Sequence, residues 1–261
     1  MLGPRALPAP SWVKRLHGRG WGLVPIASIV LVIFAIRFAS DTATGLTYLA
    51  LIAVPPLAAG ALAGAMRGGR PLLGLLAVPL FVVAWLARGS LSGEIAAALL
   101  SALSCVTLGV LLGMVTPPLW LKLGIVLMAA ADVWLVASDL LQAPNATLVA
   151  ARPAGGLPQL QSETFGSVNM GYGDMFVAAL LGAVLARQPG RASQWRGALL
   201  TLVLAGLFDL LFFVLNELPA TVPVALAMLI DTGWRHHRRR AAVSASRPPS
   251  RPAAATPRPA R

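Results

Sequence analysis

The chain has 261 residues, of which 57% are hydrophobic and only 11% charged, and its mean hydropathy is +0.76. Soluble domains carry about 25% charge, so an ordinary water-soluble domain is excluded. The net charge of +12 would suit a nucleic-acid binder if it covered one folded face. Instead it is confined to the chain ends and alternate loops, and no nucleic-acid partner is expected.

Residues 1–20 form a basic lead containing Pro4, Pro8 and Pro10, expected to be poorly ordered. Eight apolar segments follow, at 22–38, 46–66, 72–86, 94–115, 119–141, 170–186, 197–215 and 219–230. Most approach the roughly 20 residues that cross a bilayer as a helix. Backbone groups in lipid must be satisfied within the segment, which dictates helices, and none alternates like a barrel strand. The expected fold class is all-α: a polytopic transmembrane bundle of eight, or at most nine, helices. The first segment follows Arg5, Lys14, Arg15 and Arg19 and ends in Arg37-Phe38-Ala39-Ser40-Asp41 without a small-residue cleavage pattern. It is read as a retained helix and not a signal peptide.

The chain divides into the lead, an N-terminal half of four helices (21–118), a second half of four helices (119–233) and an Arg/Pro-rich tail (234–261) expected to be disordered. All of the 21 Lys and Arg except Arg37, Arg88 and Arg152 fall at the termini or beside alternate loops. That bias places both termini in the cytoplasm and brings basic side chains to anionic lipid headgroups. The one long connection, 142–169, then lies outside the membrane, and connections of that length are often functional. It carries the sequon pattern Asn145-Ala146-Thr147. The single cysteine, Cys105, cannot close an intrachain disulfide.

Eight of the nine acidic residues inform the reading. Asp41, Glu163 and Asp231 read as solvated surface. Glu94 follows Ser92-Gly93, where a carboxylate favours the positive end of a helix dipole. Asp139 sits near the outer end of the fifth segment, within reach of headgroups. Asp132 lies inside that segment, in Ala129-Ala130-Ala131-Asp132-Val133-Trp134, and Asp174 closes Met170-Gly171-Tyr172-Gly173-Asp174 at the start of the sixth. Asp209 is expected at similar depth in the seventh. An acid at membrane depth costs roughly 2.5–3.5 kcal/mol on insertion scales, so it calls for a reason. The plainer reason is hydrogen bonding between helices; the other is chemistry, or an ion or proton path.

Two adjacent carboxylates in a low dielectric hold one proton between them. One removes a proton from water while the other polarises a carbonyl, which is peptide hydrolysis by an aspartate pair. Gly171 and Gly173 leave room for backbone beside Asp174, so an unwound substrate could pair with exposed main chain. A zinc site is disfavoured by the lack of His-Glu-x-x-His, and Ser–His catalysis by the lack of histidine in any segment, because His17, His236 and His237 all lie on the cytoplasmic side.

These residues resemble the presenilin and signal peptide peptidase family of intramembrane aspartyl proteases. Ala131-Asp132-Val133-Trp134 is similar to its first motif, with alanine where tyrosine is usual. Gly171-Tyr172-Gly173-Asp174 matches its Gly-x-Gly-Asp, and Pro219-Ala220-Thr221-Val222-Pro223 resembles its Pro-Ala-Leu element, with threonine for leucine. The resemblance covers about residues 119–231. It implies Asp132 and Asp174 as the catalytic pair and Gly171, Tyr172, Gly173, Pro219, Ala220, Thr221 and Pro223 as substrate contacts. It further implies transmembrane helices as substrates, with no metal or organic cofactor. Asp209 is a possible accessory acid outside the family pattern. The charge bias directs the Asp132 helix outward, as in signal peptide peptidases, and implies substrates with cytoplasmic N-termini; tags on both termini check this orientation. Residues 170–182 also resemble type IV prepilin peptidases, although Phe176 stands where those usually place lysine. An ion- or proton-coupled transporter remains the non-enzymatic alternative.

Overall fold

The computed structural model describes residues 3–245 apart from 9, 39–40, 141, 166–167, 189 and 214–217. Ten α-helices are described: α1 (Ser11–Arg15), α2 (Val24–Phe38), α3 (Asp41–Gly60), α4 (Ala77–Leu86), α5 (Leu91–Val115), α6 (Pro118–Ala137), α7 (Gln142–Ala150), α8 (Tyr172–Ala186), α9 (Ala192–Asp209) and α10 (Val222–Ala245). Among the described residues, most of each of the eight apolar segments lies in a helix. Three helical stretches, Asp41–Ala65, Leu91–Val115 and Pro118–Ala137, are long and apolar enough to cross a membrane, while Gly20–Ile36, Pro71–Leu86 and Tyr172–Ala186 are shorter apolar helices. Large apolar side chains point outward, among them Leu31, Phe34, Ile52, Leu75, Leu86 and Leu202.

The structure differs from the sequence reading in three places. The connection 142–169 is built: α7 is followed by an antiparallel hairpin of β1 (Ser162–Phe165) and β2 (Val168–Gly171), with Ser162 opposite Gly171 and Glu163 opposite Met170. The bulk is all-α, but this ribbon leads directly into α8. The lead is placed rather than loose, since Pro4 bridges to Met66 and Arg5 N–H donates to the Ala65 carbonyl at 2.8 Å. The tail expected from residue 234 begins later, because α10 runs on to Ala245. Trp234 anchors that extension, with the Arg196 and Arg238 guanidinium groups 4.4 and 3.8 Å from its ring centre. Residues 246–261 lie outside the described residues.

Two apolar clusters hold the bundle. One joins α6, α8 and α10 through Leu121, Ile125, Met128, Val177, Leu180 and Val224. The other joins α3, α4 and α5 through Val54, Ala58, Ala84, Ala97 and Leu100, and reaches Leu160 before the hairpin. The α5–α8 contact links the two. It is close because Gly109 has no side chain: a Cβ there would lie 2.9 Å from the Ala179 carbonyl oxygen. Small residues at such crossings let backbones approach. In α3, Pro55 and Pro56 precede a π-helical turn, Ala61–Ala65, and the Thr107 hydroxyl donates to the Leu57 carbonyl at 2.7 Å in that disturbed stretch.

Candidate active site

Asp132 is on α6, five residues before its last residue, Ala137. The sequence reading put the helix end at 141 and the acid correspondingly deeper. The actual depth below the helix end is roughly 8 Å at 1.5 Å per residue. Asp174 is the third residue of α8, which begins where β2 ends. α6 and α8 are in contact, and Met128 and Val177, each about one turn from an aspartate, belong to one buried apolar cluster. The two acids lie close enough for the Asp132 charge to bear on Asp174.

Each aspartate is held through one oxygen. Asp132 is 9% exposed, and its Oδ2 accepts from the Thr221 hydroxyl at 2.6 Å and the Thr221 backbone N–H at 3.2 Å. Thr221 is 1% exposed and precedes α10, whose Val224 and Met228 belong to the same cluster as Met128. Asp174 Oδ2 accepts from the Gly171 N–H at 3.2 Å, an N3 carboxylate satisfying the donor at the N-cap of its own helix. No hydrogen bond reaches Oδ1 of either acid among the described residues. The only buried side-chain N or O atoms without a partner there are Arg67 Nε and Thr116 Oγ1.

Of the other expected residues, Tyr172 and Gly173 sit half-buried beside Asp174, and Ile29 of α2 comes within 4.0 Å of the position a Gly173 Cβ would take. The Tyr172 hydroxyl shares a 2.7 Å hydrogen bond with Ser104 of α5, and Cys105 Sγ donates to the Tyr172 carbonyl at 3.8 Å. Pro223 is buried, Pro219 half-buried and Ala220 exposed. Asp209 is exposed at the last residue of α9, with no hydrogen-bond or ion-pair partner among the described residues. The structure does not bring it to the pair.

Two acids expected on solvated surface are buried. Asp231, 7% exposed, pairs with Arg235. Glu163, 3% exposed, faces α5 from β1, and Ser101 Oγ donates to its Oε1 at 2.5 Å while lying 3.3 Å from the Leu160 carbonyl. Burial pushes the Glu163 carboxyl up to about 7 against the Ser101 hydrogen bond, which acts in the opposite direction. The polar run Gln161-Ser162-Glu163-Thr164 gives no local sign of this. Serines at 101 and 104, on one face of an apolar helix, are the only signal that something polar packs there.

Among the described residues no group of three or more His, Cys, Asp or Glu could hold a metal ion. Compared with known proteins, the chain matches no family model, no curated protein and no solved structure.

Proposed function

We propose that this chain is an intramembrane aspartyl protease that cleaves transmembrane helices, with Asp132 and Asp174 as its catalytic pair. The observation that supports it best is the meeting of three separate sequence elements at one end of the bundle. Asp132 of α6, Asp174 of the Gly-x-Gly-Asp turn and Thr221 of the Pro-Ala-Thr element come together, with the Asp132 charge bearing on Asp174 and Asp132 fixed by Thr221. The outward apolar side chains and the three long apolar helices support a membrane setting, and in this reading the Lys/Arg bias of the sequence is what directs both termini to the cytoplasm.

In this reading the pair holds one proton. The ionised member takes a proton from water as the oxygen attacks the scissile carbonyl, and the other member gives its proton to the carbonyl oxygen. Collapse returns a proton to the departing amine nitrogen. The hydrogen bonds to Oδ2 orient each carboxylate and leave Oδ1 to face water or substrate. The hairpin pairs only with itself among the described residues, which leaves an outer strand edge beside Asp174 for an unwound substrate. Phe176 packs on the apolar cluster of α6, α8 and α10, which disfavours the prepilin-peptidase alternative with its lysine there.

The test is cleavage of a transmembrane reporter by the purified protein in lipid. Asp132→Asn and Asp174→Asn should each abolish cleavage while the protein is still expressed and folded. Full activity in either variant would sink the proposal. Aspartate-dependent ion or solute flux into vesicles without proteolysis would support a transporter instead.

A further inference from the structure

At the opposite end of the bundle from the aspartates, three distant parts of the chain bring arginines to one open cleft of about 320 Å³. It is lined by Arg5, Ala6, Arg67, Gly68 and Arg191. The placement is built by backbone. The lead runs beside the end of the α3 helical stretch, with Arg5 N–H donating to the Ala65 carbonyl and Arg67 N–H to the Gly3 carbonyl, both at 2.8 Å. Gln194 of α9 fixes the same strand by donating from Nε2 to the Pro4 carbonyl at 2.9 Å, and Pro4 packs over Gly182 of α8. Arg191 follows from the α8–α9 turn.

No carboxylate lines the cleft, and none of its arginines forms an ion pair among the described residues. Arg67 Nε is buried without any hydrogen-bond partner. Leaving a buried charged donor unmet is unfavourable, and so is the convergence of three like charges. The repulsion is relieved by one anion carrying several acceptor oxygens seated among the three guanidinium groups. Guanidinium groups match phosphate oxygens in geometry and bind them with charge-assisted hydrogen bonds. Arg5 and Arg191 are exposed, and the half-buried Arg67 fixes the floor of the cleft to the end of the α3 stretch.

We infer that the Arg5–Arg67–Arg191 cleft is a binding site for a phosphate group, either free or in the headgroup of an anionic lipid. The site is separate from the aspartate pair and does not depend on the protease reading. The full chain is purified in a neutral detergent, and its Tm is followed against inorganic phosphate, with chloride at matched ionic strength as control. A second arm compares phosphatidylcholine nanodiscs with and without phosphatidylglycerol. A rise with phosphate in detergent identifies a site open to free phosphate, and a rise only with phosphatidylglycerol identifies a headgroup site. Arg67→Gln and Arg191→Gln should each weaken the response roughly tenfold, the loss expected for one charge-assisted hydrogen bond. Arg191 is exposed, so Arg191→Gln keeps the fold testable, and without anion its Tm should equal or exceed that of the wild type. No rise in either arm, or an equal rise in both variants, overturns the assignment.

Discussion

Thr221 holds Asp132 with two donors, its hydroxyl at 2.6 Å and its backbone N–H at 3.2 Å. The hydroxyl donor is one that an apolar side chain at this position could not supply. Thr221→Val keeps the β-branched shape and removes only the hydroxyl. A hydrogen bond to a charged group is worth about 1.5–3 kcal/mol. Thr221→Val should therefore lower stability by about that amount and slow reporter cleavage by roughly tenfold or more. Thr221→Ser should retain most of both. Unfolding curves and cleavage rates for the two variants check this, and equal behaviour of Val and Ser would remove the hydroxyl from the account.

Glu163 makes stability depend on pH in an uncommon direction. Its carboxyl rises from 4.5 to about 7 in the folded chain because burial disfavours the charged form. Between those values the folded state binds more protons than the unfolded one, so stability falls as pH rises. The contribution is fully present below 4.5 and lost as pH passes through about 7. At about 1.4 kcal/mol per pKa unit, the loss is on the order of 3–4 kcal/mol at most. Glu163→Gln, which accepts from Ser101 without a charge, should flatten the fall in Tm across that window. An unchanged slope in the variant would assign the pH dependence to another group.

Much of the fold can be read locally and much of the site cannot. Apolar runs name helices because lipid or a packed core imposes the same demand along the whole segment, and the greater part of each of the eight runs is helical among the described residues. The Gly-x-Gly-Asp turn is also legible, since Asp174 bonds only three residues back to Gly171. The Asp132–Thr221 bond spans 89 positions and the Glu163–Ser101 bond 62, and no local pattern encodes either. The hairpin escapes because its strands have four residues each, too few for alternation to stand out among glycine and serine. Asp209 shows the same limit: an apolar run does not decide which way a side chain faces, and this one is exposed at the end of α9.

Gly109 allows α5 and α8 to cross closely enough for Ser104 to reach Tyr172. In Gly109→Ala the new Cβ would meet the Ala179 carbonyl oxygen at 2.9 Å, and backbone cannot rotate aside as a side chain can. Overpacking of this kind costs about 1–3 kcal/mol. The variant should unfold earlier by that amount and lose cleavage in proportion, because the α8 N-terminus carries Asp174. Gly113→Ala is the control, since its Cβ would only touch the Ala183 side chain at 3.6 Å.

Asp231 and Arg235 decide how far α10 extends past the apolar segment. Arg235 donates from Nε to Oδ2 at 2.8 Å and from its Nη2 to Oδ1 at 3.0 Å, and the same nitrogen reaches Ser193 Oγ of α9 at 2.8 Å. An exposed pair four residues apart contributes only about 0.3–0.5 kcal/mol. Breaking a fully buried one costs about 3–5 kcal/mol. With the side chains 6% and 24% exposed, the pair lies between these limits. Arg235→Lys keeps the charge but loses the two-pronged fork and the link to α9. It should lower stability by about 1–2 kcal/mol and open residues near 235–245 to proteolysis before the rest of the bundle unfolds. Limited proteolysis followed by mass measurement of the fragments reads this directly. Protection equal to the wild type would mean that the arginines stacked on Trp234 hold the extension without the ion pair.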